Sequence, residues 1–227
     1  MYAAVVLLLA SVSLAFRQGL IPARFSPLPA LDLAVARPWM ADWRLAELRH
    51  EPELCRRVLK APQIEAGPIA DNPLKDGCGW TNSVRTTSVG NARLSLDKLT
   101  CETAAALALW MQHEVQPLAG QLLGQRVASV QHLGSYACRN IRGSTVWRHA
   151  KSEHATANAI DIRAFSLADG RQISVLKSWS AGDADARFLH AAHQGACRYF
   201  RVALGPAYNA AHRDHFHLDR GLLKRCG

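Results

Sequence analysis

The chain has 227 residues, 49% hydrophobic and 20% charged, with a net charge of +9 at neutral pH. That composition excludes a disordered chain and allows one sizeable domain, or one domain with a small lobe. The charge favours an anionic partner such as a cell wall or a membrane surface, while the lack of a nucleic-acid motif and of a basic run with interleaved aromatics argues against nucleic acid.

Tyr2 to Phe16 (YAAVVLLLASVSLAF) carries no charge. At about 15 residues it is short for a membrane span, which needs roughly 20, and it reads as the apolar part of a signal peptide or short signal anchor over residues 1–18. Ser13-Leu14-Ala15 is a weak cleavage-site match. Arg17 and Arg24 follow the run and no basic residue precedes it, a bias that by itself opposes export. Residues 19–40, with Pro22, Pro27, Pro29 and Pro38, read as a Pro-rich linker leading away from a membrane as an extended tether. Residues 41–227 form the domain.

Within it, Met40 to Leu59 has helical spacing through Trp43, Leu45, Leu48 and Leu54. Ala61 to Gly79 is rich in Pro, Gly and Asp and reads as loop, and Trp80 to Leu96 as one or two strands. Thr100 is a candidate N-cap for a helix over Thr103 to Leu123, kinked or divided by Pro117 and closed by Gly124. Arg126 to Gly134 reads as a strand. Asn158 to Phe165 is another, with Ile160 and Ile162 on one face, and the Asp169-Gly170 turn joins it to a third at Arg171 to Leu176. Asp183 to Leu204 reads as a helix ended by Gly205-Pro206, and His215 to Leu218 as a short last strand. The fold class is α+β, a small antiparallel sheet with flanking helices.

Cys55, Cys78, Cys101, Cys138, Cys197 and Cys226 form no C-x-x-C pair, which argues against a cysteine zinc knuckle or a thioredoxin-type site. Scattered cysteines in even number behind an apolar N-terminus point to as many as three disulfides in an oxidising compartment; the sequence does not choose the pairing.

Two segments concentrate metal-ligating chemistry. One is Ser152-Glu153-His154 followed by Asp161; the other is His212-Arg213-Asp214-His215-Phe216-His217. Alternation along a strand puts His215 and His217 on one face and Phe216 in the core. Asp161, between Ile160 and Ile162, faces away from them. One face of the sheet can thus offer Asp161 and His217, with His154 brought over it by the turn before Asn158. Imidazole and carboxylate are good zinc ligands, and three of them with an open position make a catalytic arrangement in which water is activated.

The H-x6-D spacing followed by H-x-H resembles the zinc peptidases that include D-Ala-D-Ala dipeptidases, penicillin-insensitive murein endopeptidases and the hedgehog signalling domain. From about Leu45 onward the chain resembles more closely the bacterial extensin-like C-terminal domain family, through GSYACRNIRG, SEHATANAIDI, ISVLKSW and GPAYNAAHRDHFHLD. The resemblance implies a zinc peptidase-like fold with His154, Asp161 and His217 as ligands to Zn2+. It implies that His215 assists the transition state and that Arg139, with Arg142 as a weaker substitute, stabilises the developing oxyanion. The Glu that commonly serves as base is absent; Asp214 and His212 compete for the role, strand geometry favouring His212. Ser152 reads as a residue that shapes the loop. The expected function is amide-bond hydrolysis in peptidoglycan stem peptides or cross-links, in the cell envelope, on the periplasmic side, anchored to the inner membrane or secreted. The alternative is a non-catalytic zinc-binding domain that recognises the wall or another envelope protein.

Overall fold

The computed structural model describes residues 2–18, 20–21, 25–26 and 28–227. Gly19, Pro22, Arg24 and Pro27 of the expected linker lie outside the described residues. Helix α1 (Tyr2–Arg17) exposes its apolar side chains, and its Phe16 stacks on Trp43. Among the described residues no helix is long and apolar enough to cross a membrane. The stretch expected to hang as a tether is docked along residues 30–38. Leu31 and Leu33 are buried, the Leu33 carbonyl pairs with His113 Nε2 at 2.9 Å, and the Ala30 carbonyl accepts from Arg44. Apolar side chains alternating into the core hold this segment where proline content suggested an extended spacer.

Met40 to Leu59 is two helices rather than one, α2 (Ala41–Glu47) and α3 (Pro52–Val58), because Pro52 suits only a first helical turn. Ala61 to Gly79, expected as loop, holds three strands: β1 (Ile64–Pro68), β2 (Asn72–Lys75) and β3 (Cys78–Trp80). β1 is a sheet edge, where Gly67 and Pro68 are tolerated. β2 and β3 are joined by Asp76-Gly77, both at positive φ as a two-residue hairpin requires. Gly90-Asn91 makes the same kind of turn between β4 (Ser83–Val89) and β5 (Ala92–Thr100).

Helix α4 (Cys101–Trp110) runs through a π turn at Met111–Val115 into α5 (Gln116–Leu123). The π turn lies just ahead of Pro117, where a missing N–H disturbs an α-helical ladder. Gly124 closes the helix at φ 66°. Thr100 stands at the N-cap but does not cap; its hydroxyl bonds Asn158 Oδ1 at 2.8 Å. Then come β6 (Val127–Gly134), β7 (Ala159–Leu167), β8 (Gln172–Ser174), α6 (Val175–Ser178) and α7 (Ala184–Ala196), whose N-cap Asp183 accepts from Ala186 N–H at 2.9 Å. The expected helix over Asp183 to Leu204 stops at Ala196, and Val202–Leu204 is β9. β9 is buried on both faces, so no alternation marks it as a strand. β10 (Phe216–Asp219) and β11 (Arg225–Cys226) complete the chain.

The fold is a mixed α/β arrangement around a mainly antiparallel sheet. Among the described residues the sheet is larger than expected, with nine strands in the order β1-β4-β5-β6-β7-β10-β9-β11 and β8 beside β7. Only β5–β6 and β9–β11 pair in parallel. The core centres on Trp110, whose indole N–H donates to the Ala192 carbonyl at 2.8 Å and whose ring meets Phe165 and Phe200 edge-on. Disulfides Cys55–Cys101, Cys78–Cys138 and Cys197–Cys226 use all six cysteines.

Candidate metal centre

The antiparallel register of β7 and β10 sets His217 directly opposite Asp161. Ile160, Ile162, Phe216 and Leu218 are fully buried, so alternation turns Asp161 and His217 to the opposite face of the sheet. His154 comes from a 3-10 turn at Glu153–Thr156. Ser152 caps that turn, its hydroxyl accepting from His154 N–H at 3.4 Å. Ala157 ends the turn at φ 54°, and Asn158 anchors the start of β7 by accepting from Thr103 of α4 at 2.7 Å.

Three side-chain atoms meet there. His154 Nε2 lies 3.1 Å from Asp161 Oδ1 and 3.1 Å from His217 Nδ1, and the last two are 2.9 Å apart. The partners of the other ring nitrogens decide what these atoms carry. His154 Nδ1 faces the Ser135 carbonyl at 3.2 Å and His217 Nε2 faces Asp219 Oδ2 at 2.9 Å, so each of those nitrogens must donate. In the neutral rings, His154 Nε2 and His217 Nδ1 therefore carry lone pairs, and both face the Asp161 carboxylate. Three acceptors packed this closely repel one another unless a positive charge sits between them. In the metal-free chain a proton does so. Burial opposes charge on His217, but hydrogen bonds to Asp161 and Asp219 push its pKa up to about 9. Asp161 is likewise buried, yet its hydrogen bonds to His154 and His217 hold its carboxyl far below the usual range.

A zinc ion fits the same place. Tetrahedral ligand atoms at bonds of about 2.0–2.1 Å stand roughly 3.3 Å apart, so the triangle needs to open by only a few tenths of an ångström. These residues are, among those described, the group whose ligand atoms could hold a metal ion, all within 4.8 Å of one another.

The remaining candidates surround the triangle. His212 Nδ1 donates to Asn209 Oδ1 at 2.7 Å, which leaves its Nε2 with the lone pair, and its ring lies 5.8 Å from that of His217. Burial, with His217 and His215 alongside, pushes His212 down to about 4. His215 just precedes β10, its Nδ1 donating to Asp214 at 2.9 Å and its Nε2 standing 3.6 Å from Asp161 Oδ1. Asp214 is thus turned toward His215, and that hydrogen bond lowers its pKa. Arg139 follows disulfide-bonded Cys138, and its carbonyl accepts from Ser152 N–H at 3.1 Å. Burial lowers the Arg139 pKa against the attraction of Asp161, and Arg142 adds to the lowering. Arg142 is exposed at the start of the excursion that the Asn140–Lys151 bridge closes.

Ser135, Asn209 and Asp219 escaped the sequence reading. Asp219 had a readable signal, an acidic residue two positions beyond His217 on the same strand. The Ser135 carbonyl had none, because a backbone acceptor leaves no trace in residue type.

The sequence model of the family described as Extensin-like protein C-terminus matches residues 53–226, a span that contains all of these side chains. No curated protein and no solved structure matches the chain.

Proposed function

The chain belongs to the extensin-like protein C-terminus family, and from that footing we propose that it is a zinc-dependent hydrolase of amide bonds in peptidoglycan, acting in the cell envelope. The reading rests chiefly on the triangle of His154 Nε2, Asp161 Oδ1 and His217 Nδ1, three lone-pair donors that demand a cation. Two imidazoles and one carboxylate leave a tetrahedral position open, the mark of a catalytic rather than a structural zinc site. The likeness to zinc peptidases in spacing supports the same reaction class.

Zinc bound there supplies a Lewis acid that polarises a carbonyl and activates water. His212, neutral near physiological pH, offers Nε2 as the proton acceptor. His215 offers a second Nε2, and Asp214 serves it by holding the proton on Nδ1. Arg139 brings positive charge toward the oxygen on which negative charge develops. The net charge of +9 suits an anionic wall polymer, and the exposed apolar face of α1 suits a signal segment or membrane anchor.

One observation favours a second reading, a zinc-binding envelope domain without turnover: the Asp214 carboxylate engages His215 and leaves proton transfer to imidazoles. Metal analysis of the purified chain, then mass spectrometry of muropeptides after incubation with it, decides. Zinc at one equivalent and cleavage that disappears in His217→Ala support the hydrolase. Zinc without cleavage selects the binding domain. Undiminished cleavage by His154→Ala, Asp161→Ala and His217→Ala removes the metal mechanism.

A further inference from the structure

We infer that Asp219 is a positioning residue for the metal centre, fixing the tautomer and ring orientation of His217; this role rests on the zinc reading above. Asp219 lies two residues beyond His217 on β10, so both side chains project from one face. It is buried, and each of its carboxylate oxygens has one task. Oδ2 accepts from His217 Nε2 at 2.9 Å, and Oδ1 accepts from the Gly221 backbone N–H at 2.9 Å. Backbone pairing to Ala159 on one side and Val202 on the other holds its Cα in place.

The second anchor is itself braced. A Cβ on Gly221 would collide with the Glu153 carboxylate, so a larger residue there would force that side chain to move. Glu153 in turn accepts from Asn158 Nδ2 at 2.7 Å. Asp219 is thus gripped from behind and grips His217 in front. With Nε2–H committed to it, His217 can present only Nδ1 to His154 and Asp161.

His154 receives the same service from the Ser135 carbonyl. The two rings are oriented by different means, one by backbone and one by a side chain, and only the second can be removed by substitution. Outer partners of this kind raise the basicity of a ligating imidazole and spare it the entropy of ring rotation on binding; their loss typically weakens metal binding about 10- to 100-fold.

Asp219→Asn discriminates well because an amide has a single acceptor oxygen. It can serve Gly221 or His217, and its NH2 then faces the other donor. Zinc affinity by chelator competition, cobalt(II) absorption spectra, and melting of the metal-free protein as a folding control are measured for the wild type, Asp219→Asn and Asp219→Ala. We expect zinc binding weaker by about 10- to 100-fold in both variants and a shifted cobalt spectrum. The wild type supplies a test independent of variant folding: nitrogen-15 imidazole spectra of the zinc-loaded chain should show His217 protonated at Nε2. Folded variants that bind zinc within about twofold of wild type overturn the role, as does His217 coordinated through Nε2. In either case wild-type zinc uptake leaves the hydrolase reading standing. A wild type that takes up no zinc removes that reading and this role together.

Discussion

Replacing Glu102 by Gln removes one charge from a buried cluster that ties distant parts of the chain together. Glu102 is fully buried at the start of α4; its Oε1 accepts from Arg220 Nε at 2.8 Å and its Oε2 from Arg49 Nε at 2.7 Å. Arg220 also reaches Asp42 at 2.6 Å, and Asp42 pairs with Arg201 at 3.0 Å. Arg201 and Arg220 are almost wholly buried, so solvent screens little of this. Glutamine keeps the shape, but it turns an NH2 toward one guanidinium and leaves the buried cations with less compensation. Breaking a buried, hydrogen-bonded pair from one side costs about 3–5 kcal/mol. For a chain of this size that is a fall of about 10 °C in melting temperature. Urea denaturation of Glu102→Gln, Arg220→Met and the double variant Glu102→Gln/Arg220→Met measures it. The double variant should lose less than the two single effects combined, because Glu102 and Arg220 no longer strand each other and only Arg49 and Asp42 are left short of one partner, with a coupling of about 1–3 kcal/mol. A Glu102→Gln protein within about 1 kcal/mol of wild type would refute the reasoning.

Other parts of the molecule carry further expected outcomes. Cys78–Cys138 closes a loop of 60 residues, so Cys78→Ala/Cys138→Ala should lose about 4 kcal/mol in denaturant titrations. The same change frees the loop after β6 that carries Arg139, so on the hydrolase reading turnover should fall more than zinc affinity. His212→Ala should lower turnover by about 100-fold or more with zinc affinity nearly unchanged, whereas Asp214→Asn, acting through His215, should cost less; the reverse order in steady-state kinetics would make Asp214 the base. His193 is buried on α7 against Trp179 and Phe216, and burial lowers its pKa. The unfolded chain therefore takes up this proton more readily than the folded one. Stability from this group is whole above the unfolded value near 6.5 and declines as pH falls from there toward the folded pKa. Melting temperatures at pH 7.5 and 5.5, taken at matched ionic strength for wild type and His193→Leu, isolate it from the opposing His217 and the parallel His212: on going to pH 5.5 the variant should lose ground less, or gain more, than the wild type.

Local pattern made much of this molecule legible. The period of two in NAIDIRAF and HFHL was enough to turn Ile160, Ile162 and Phe216 inward and Asp161 and His217 outward, because side-chain direction along a strand is a property of the strand alone. Pro117, Gly124 and the Asp169-Gly170 turn were readable for the same reason. The reading of 61–79 as loop failed on a signal that was also local, the Asp76-Gly77 hairpin turn.

Other features had no local signature. Nothing in Val202 to Leu204 distinguishes a doubly buried strand from the end of the preceding helix; pairing with β10 and β11 decides it. No spacing rule pairs Cys78 with Cys138, or brings Glu102 to an arginine 118 residues away. The candidate site divides along the same line. Residue type and alternation nominated His154, Asp161 and His217. Registry between β7 and β10, set by backbone hydrogen bonds across 56 residues, brought His217 opposite Asp161. Only the folded chain turned Asp214 to His215, left His212 with its lone pair on Nε2, and supplied the Ser135 carbonyl and Asp219 that orient the two imidazoles. A sequence carries the direction of each side chain through its local period; the atom that side chain meets depends on long-range registry and backbone groups, which exist only once the chain has folded.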